Sequence, residues 1–315
     1  MSTSWNKLIA GIGEGHIPSL ARLITRVENR APGWQSVMKE IYLKTGNARV
    51  IGITGSPGAG KSTLTGKVAT YLSEQGLQVG IIAIDPSSPF SGGALLGDRI
   101  RMSNTFRDKN IYIRSMATRG ALGGLCQAAR DVSRIMDAFG KDIILIETVG
   151  VGQDEIEVVK AADMVAVVSV PGQGDGVQAL KAGIMEIADI FVVNKADRDG
   201  ADEVVADISG MLHLSPDISK KIPEIVKTVS TTGEGIAEFV EHINSVSRTD
   251  DNLERNEDQI KDELLTLLER EVSSYALKKW GSGEGLNKAI NDIVDRVSDP
   301  YSVVDEMLAE FKQKM

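Results

Sequence analysis

A chain of 315 residues with 42% hydrophobic and 25% charged residues has the length and composition of one large α/β domain with extensions, which excludes disorder as its main state. Its 35 basic and 44 acidic residues give a net charge of −9, so it has no overall electrostatic attraction to nucleic acid or an anionic membrane. A single cysteine, Cys126, excludes an intrachain disulfide, and His16, His213 and His242 lie too far apart to build a Cys/His metal cluster with it.

Met1 to Leu8 lacks the basic and apolar runs of a leader, and no apolar run reaches the roughly 18 residues of a membrane span. The expected location is the cytoplasm. Leu20, Leu23, Ile24 and Val27 then recur at spacings of three and four, which predicts an amphipathic helix. A second is expected around Val37 to Tyr42, with Pro32 and Gly33 between them. Residues 1–47 thus read as an N-terminal helical extension.

From Arg49 to Ser230 the period changes. Short β-branched runs predict strands at Val50–Thr54, Val79–Ile84, Ile143–Ile146, Met164–Val170, Ile190–Val193 and Ile225–Val229. Each is apolar throughout, as in strands covered on both faces. Helix-length segments such as Lys61–Gln75, Leu125–Phe139 and Gln178–Ile187 alternate with them. The expectation over residues 48–248 is an α/β fold with a mostly parallel sheet flanked by helices. Cys126 reads as packing within one of those helices.

Beyond Thr249 the strands stop, and residues 249–315 read as a helical arm. Asn252–Asp258 is charged, a linker or an exposed helix start. Ile260, Leu264, Leu267, Leu268, Val272 and Tyr275 make one helical stripe; Ile290, Ile293, Val294 and Val297 make another. Such stripes either pack on the chain's own domain or form a partner interface.

Directly after the first strand stands Gly55-Ser56-Pro57-Gly58-Ala59-Gly60-Lys61-Ser62-Thr63, which fits the P-loop pattern of nucleoside triphosphatases. A turn that wraps a phosphate with its own amides leaves no room for side chains, hence the glycines. Lys61 supplies a positive charge to the β and γ phosphates, Ser62 a hydroxyl to Mg²⁺, and the following helix its positive N-terminus.

Asn194-Lys195-Ala196-Asp197 follows the fifth predicted strand. A carboxylate at Asp197 accepts from the ring N–H and exocyclic amine of guanine, donors that adenine does not present there. The stem of Lys195 is placed to lie over the base, and Asn194 to tie this loop to the phosphate loop. Ser230-Thr231-Thr232 is expected to back the base. The nucleotide is read as GTP or GDP.

Glu147-Thr148-Val149-Gly150 ends the strand Ile143–Ile146. Glu147 is expected to hold Mg²⁺ and its waters, and the Gly150 amide to report on the γ-phosphate. Val151 stands where GTPases commonly carry a water-orienting Gln, and Gln153 is nearby, so slow intrinsic hydrolysis is expected. Asp85 and Asp98 are further metal candidates; each alternatively reads as a helix N-cap or turn residue. Gly172, Gly174, Gly176 and Gly183 surround Lys181, which either brings charge to the transition state or is a solvated helix residue.

These segments together resemble one family, the GTPases associated with methylmalonyl-CoA mutase (MeaB/ArgK type, MMAA in mitochondria). Besides the motifs above, the resemblance rests on Asp85-Pro86-Ser87-Ser88, on Leu96-Gly97-Asp98-Arg99-Ile100-Arg101-Met102 and on Thr118-Arg119-Gly120-Ala121-Leu122-Gly123-Gly124. It extends to Glu147-Thr148-Val149-Gly150-Val151-Gly152-Gln153 and Pro171-Gly172-Gln173-Gly174-Asp175. It implies a homodimer through the C-terminal helices, a switch segment at Gly172–Lys181, and GTP-gated delivery of adenosylcobalamin to a B12-dependent acyl-CoA mutase, which it also protects. This chain carries Gly176 where family members commonly have an acidic residue.

Three other readings compete with this one. The first is a phosphotransferase acting on an amino-acid transport protein, for which nothing beyond the P-loop argues. A nickel-inserting GTPase needs His/Cys ligands at a spacing this chain lacks. A mutase needs a D-x-H-x-x-G pattern, absent here, so no corrinoid site is expected in this chain.

Overall fold

The computed structural model describes residues 3–85, 108–117, 124–148, 161–172, 188–214, 222–245, 250–280 and 284–312. They divide into two compact units, residues 1–253 and 254–315.

The first unit is built on a seven-stranded sheet in the order β3-β2-β4-β1-β5-β6-β7, every neighbouring pair parallel. The strands are β1 (Arg49–Gly55), β2 (Val79–Asp85), β3 (Ile111–Ala117), β4 (Ile143–Glu147), β5 (Met164–Ser169), β6 (Ile190–Asn194) and β7 (Glu224–Thr228). In β4, β5 and β6 every residue is buried, which is why their sequences are apolar without alternation.

Strand β3 is an addition to the expected set. It lies at the sheet edge, where half-buried Tyr112, Arg114 and Ser115 interrupt its apolar residues. Arg114 pairs there with Glu28.

Successive residues point to opposite faces, and each face has its own cover. On one face Ile51, Ile53, Leu145, Val168 and Val192 pack with α4 (Lys61–Glu74). On the other, Ile82, Ile144 and Ile146 share a core with the helices α1 (Thr3–Gly13), α2 (Ile17–Glu28), α3 (Trp34–Tyr42) and α5 (Gly124–Ala138). Farther along that face, Val165, Val167, Phe191 and Val193 pack with Ile208 of α6 (Ala201–Leu214). Helix α7 (Ile236–Ser245) completes the first face with Phe239 and Ile243.

Helix α1 is also an addition, burying Trp5, Leu8, Ile9 and Ile12. Leu20, Leu23, Ile24 and Val27 of α2 are fully buried, each worth about 1.5–3 kcal/mol of apolar transfer. The N-terminal helices therefore share the core of the sheet. Arg30 pairs with the buried Asp131 of α5 at 2.5 Å while its guanidinium lies 4.1 Å from the Trp34 ring centre. Burial pushes the Asp131 carboxyl above the usual range, against the pull of Arg30. Asp137 accepts from the amides of Gly46 at 2.6 Å and Ala48 at 3.1 Å, pinning the connection into β1.

The second unit is helical: most of α8 (Asp250–Trp280), then α9 (Glu284–Val294) and α10 (Pro300–Lys312). The charged run at Asn252–Asp258 lies inside α8, and α10 is a third helix beyond the expected pair. Ile260, Leu264, Leu268, Val272 and Tyr275 are all exposed on α8. Among the described residues no helix is long and apolar enough to cross a membrane.

Candidate functional site

The motif residues gather at the carboxyl ends of β1, β4, β6 and β7, the edge at which open parallel sheets bind ligands. β1 ends at Gly55 with φ of 141°, where a Cβ would stand 2.0 Å from the Val168 carbonyl of β5. No side chain fits there. Gly60 caps α4 in the left-handed region, and a Cβ on it would lie 2.6 Å from Asn194 Nδ2. These glycines serve close approach as well as turning.

Helix α4 starts at Lys61, so its first amides, which have no intrahelical partners, face the end of the loop where an anion would sit. Lys61 is buried, and its Nζ donates to Gly55 O at 2.7 Å and Ser56 O at 3.0 Å. An ammonium held by neutral carbonyls gains from exchanging one of them for an anionic phosphate oxygen. Pro57, Gly58 and Thr63 are exposed at the mouth of the loop, while Ala59 is buried.

Beside the loop, β4 runs parallel to β1 with Ile53 opposite Glu147. This register brings Glu147 to α4, where Ser62 Oγ donates to Glu147 Oε1 at 2.5 Å. A hydroxyl and a carboxylate touching at the phosphate end of the loop are hard oxygen donors of the kind Mg²⁺ takes alongside nucleotide phosphates. Two of the four expected metal ligands are thus adjacent. Among the described residues no three His, Cys, Asp or Glu side chains form a ready cage. Asp85 ends β2; its side chain, and Asp98, Gly150, Gln153 and Lys181 entirely, lie outside what the structure describes.

Asn194 organises the other half. Its Nδ2 donates to Ala59 O at 2.8 Å. Its Oδ1 accepts from Ser230 Oγ at 2.7 Å, Thr228 Oγ1 at 3.1 Å and the Ser230 amide at 3.2 Å. Lys195 adopts a left-handed backbone with φ of 58°, and its Nζ donates to Gly58 O at 2.7 Å. Asp197, Thr231 and Thr232 are exposed at the rim, but Ser230 is buried as an anchor for Asn194. No sequence motif marks Thr228; the signal for it is the β6–β7 register, which sets it opposite Asn194.

A family model described as methylmalonyl Co-A mutase-associated GTPase MeaB matches residues 20–280. A protein of Pyrococcus horikoshii named as a GTPase is 46% identical over 96% of this chain and 97% of its own. GTPase ArgK of Escherichia coli strain K12 is 40% identical over 62% of this chain and 60% of its own. The crystal structure of a protein named LAO/AO transport system kinase superposes with a TM-score of 0.70 at 25% identity, covering 99% of both chains.

Proposed function

The chain belongs to the family of methylmalonyl-CoA mutase-associated GTPases, and we propose that it acts as a GTP-gated chaperone of a B12-dependent acyl-CoA mutase. It is a P-loop GTPase, converting GTP and water to GDP and phosphate. In the proposed role the nucleotide state gates delivery of adenosylcobalamin to the mutase and protects that enzyme from inactivation. The bond from Asn194 to Ala59, which makes the base-reading and phosphate loops one unit, carries the nucleotide-binding half of the reading, and the family match over residues 20–280 supports the mutase half. A relative in mouse, 42% identical over 60% of this chain and 46% of its own, is named methylmalonic aciduria type A homolog, which supports the link to that mutase.

In this reading the amides from Gly55 to Thr63 and the Lys61 ammonium hold the β and γ phosphates. Asp197 accepts from guanine, Thr231 and Thr232 back the base, and Ser230 serves it by anchoring Asn194. Ser62 and Glu147, with Asp85 and Asp98, would hold Mg²⁺, which when bound neutralises charge on the polyphosphate. Gly150 senses the γ-phosphate, Gln153 orients water, and Lys181 brings positive charge to the transition state when a partner binds. The protein works in the cytoplasm as a homodimer through residues 249–315.

The test is single-turnover GTP hydrolysis with and without a B12-dependent acyl-CoA mutase. Stimulation of the parent protein, lost in Lys181→Ala with GTP affinity kept, is the expected result. Equal rates with and without methylmalonyl-CoA mutase and its B12-dependent relatives would overturn the chaperone role. The structural likeness to the transport system kinase favours a second reading, phosphotransfer to a transport protein. Repeating the assay with γ-labelled nucleotide and a periplasmic amino-acid-binding transport protein separates the two, because a kinase leaves the label on that protein and a GTPase releases it as phosphate.

A further inference from the structure

Thr148 Oγ1 donates to Thr54 Oγ1 at 3.0 Å, and the two residues are 2% and 1% exposed. The Thr148 amide donates to Ile53 O at 3.1 Å, extending the β1–β4 ladder one residue past its last pair, Ile53 opposite Glu147. Alternation puts Glu147 on the α4 face, where it meets Ser62. Thr54 and Thr148 fall on the opposite face, in the row continued by Gly52 and the buried Ile146. The end of β4 is therefore held from both faces, by Ser62 on one and by Thr54 on the other.

Valine has the shape of threonine and costs less to bury beside Ile146, so a hydroxyl at Thr148 is a poor device for stability alone. What it adds is direction: an O–H to O bond is short and oriented, and it gives the two strand ends a side-chain tie beyond the last bond of the backbone ladder. Thr54 immediately precedes Gly55, whose carbonyl holds Lys61. Thr148 stands two residues before Gly150.

We propose that Thr54 and Thr148 are positioning residues for GTP hydrolysis, locking the exit of β4 towards Gly150 against the start of the phosphate loop. The inference rests on the GTPase activity and not on the mutase partner. It predicts that the pair acts on the triphosphate state and leaves the fold and the diphosphate complex alone.

The experiment compares the parent with Thr54→Val/Thr148→Val, Thr148→Val and Thr148→Ser. The readouts are thermal midpoint, calorimetric GDP affinity and single-turnover GTP hydrolysis. In Thr148→Val the midpoint holds or rises and GDP affinity stays within about twofold, while in Thr148→Val and in the double variant hydrolysis slows by about ten- to a hundredfold, the scale of a small misplacement of reacting groups. Thr148→Ser, which keeps the hydroxyl, hydrolyses at the parent's rate. Hydrolysis at the parent's rate in the double variant overturns the proposal. So does a parallel fall in midpoint and GDP affinity, or a serine variant as slow as Thr148→Val. A parent without GTP hydrolysis would overturn the activity itself. The pair is then judged by the ratio of affinities for a non-hydrolysable GTP analogue and GDP, which the valines must lower.

Discussion

Asn194 and Ala59 are joined side chain to backbone at 2.8 Å, so the loop that reads the base is fastened to the loop that wraps the phosphates. The same side chain accepts three hydrogen bonds from Thr228 and Ser230, which leaves it 1% exposed with both ends in use. Its immobility follows from saturation: any rotation breaks several bonds in a region water does not reach.

Asn194→Asp separates those functions. The aspartate keeps the shape and the accepting end but loses the donor, and it sets a buried charge against the Ala59 carbonyl. We expect a loss of about 1–3 kcal/mol in unfolding free energy and a fall in GDP affinity. Ser230→Ala, which removes only one hydroxyl donor, costs less, about 1 kcal/mol. Urea titration and calorimetry check the order; Ser230→Ala as damaging as Asn194→Asp would refute it.

Glu147→Gln tests the metal. The amide retains an oxygen to accept from Ser62 Oγ, so the local hydrogen bond survives while the charge disappears. GDP affinity measured with a chelator stays at the parent's value, and the gain from adding magnesium shrinks. An undiminished magnesium effect in the variant would remove Glu147 from the ligand set.

What the sequence disclosed and what it withheld divide along physical lines. β5 and β6 are legible because burial on both faces forces unbroken apolar runs. β3 is not, because an edge strand admits Arg114 and Ser115, and Arg114 is explained only by Glu28 of α2, far away in sequence. Helix α1 hides for a similar reason: its short stripe of Trp5, Leu8, Ile9 and Ile12 gains meaning only against α2 and the sheet face. In the site, contiguous motifs such as 55–63 and 194–197 announce themselves through backbone and ligand demands. Thr54, Thr148 and Thr228 work through cross-strand register, which no local spacing records.

Lys141 carries a pH prediction. The residue is 3% exposed, and its ammonium donates to Gln78 Oε1 at 3.0 Å and Asn110 O at 2.7 Å, at the sheet edge opposite the nucleotide loops. Burial lowers its pKa from 10.5 to about 8, although Asp142 and Asp108 pull it upwards. Asp108 itself is held low by bonds from Ser73 and Asn110, so it stays charged throughout. Between about pH 8 and 10.5 the unfolded chain binds a proton that the folded chain has released. Stability from this group therefore rises with pH across that window. The difference in urea midpoint between the parent and Lys141→Met should shift in the parent's favour from pH 8 to pH 10. A constant difference would show that Lys141 titrates normally.

The last prediction concerns the exposed stripe of α8. Ile260, Leu264, Leu268 and Val272 recur every four residues, with Tyr275 three further on, so all lie along one side of the helix. Leu264 and Leu268 are 62% and 60% exposed, an apolar row that the chain by itself leaves in water. A second copy presenting the same row is the cover that the proposed homodimer supplies, since a two-fold interface matches a patch with itself. Leu264→Glu/Leu268→Glu discriminates sharply. On a solvent-facing helix side the two carboxylates change folding stability by no more than about 0.5 kcal/mol each. In a closed interface they meet their own copies unpaired and prevent association. Sedimentation at tens of micromolar, roughly the range of a weak-interface Kd, should find the parent dimeric and the variant monomeric, with GDP affinity equal in both. A monomeric parent, or a variant that still dimerises, would place any contact between copies elsewhere than this row.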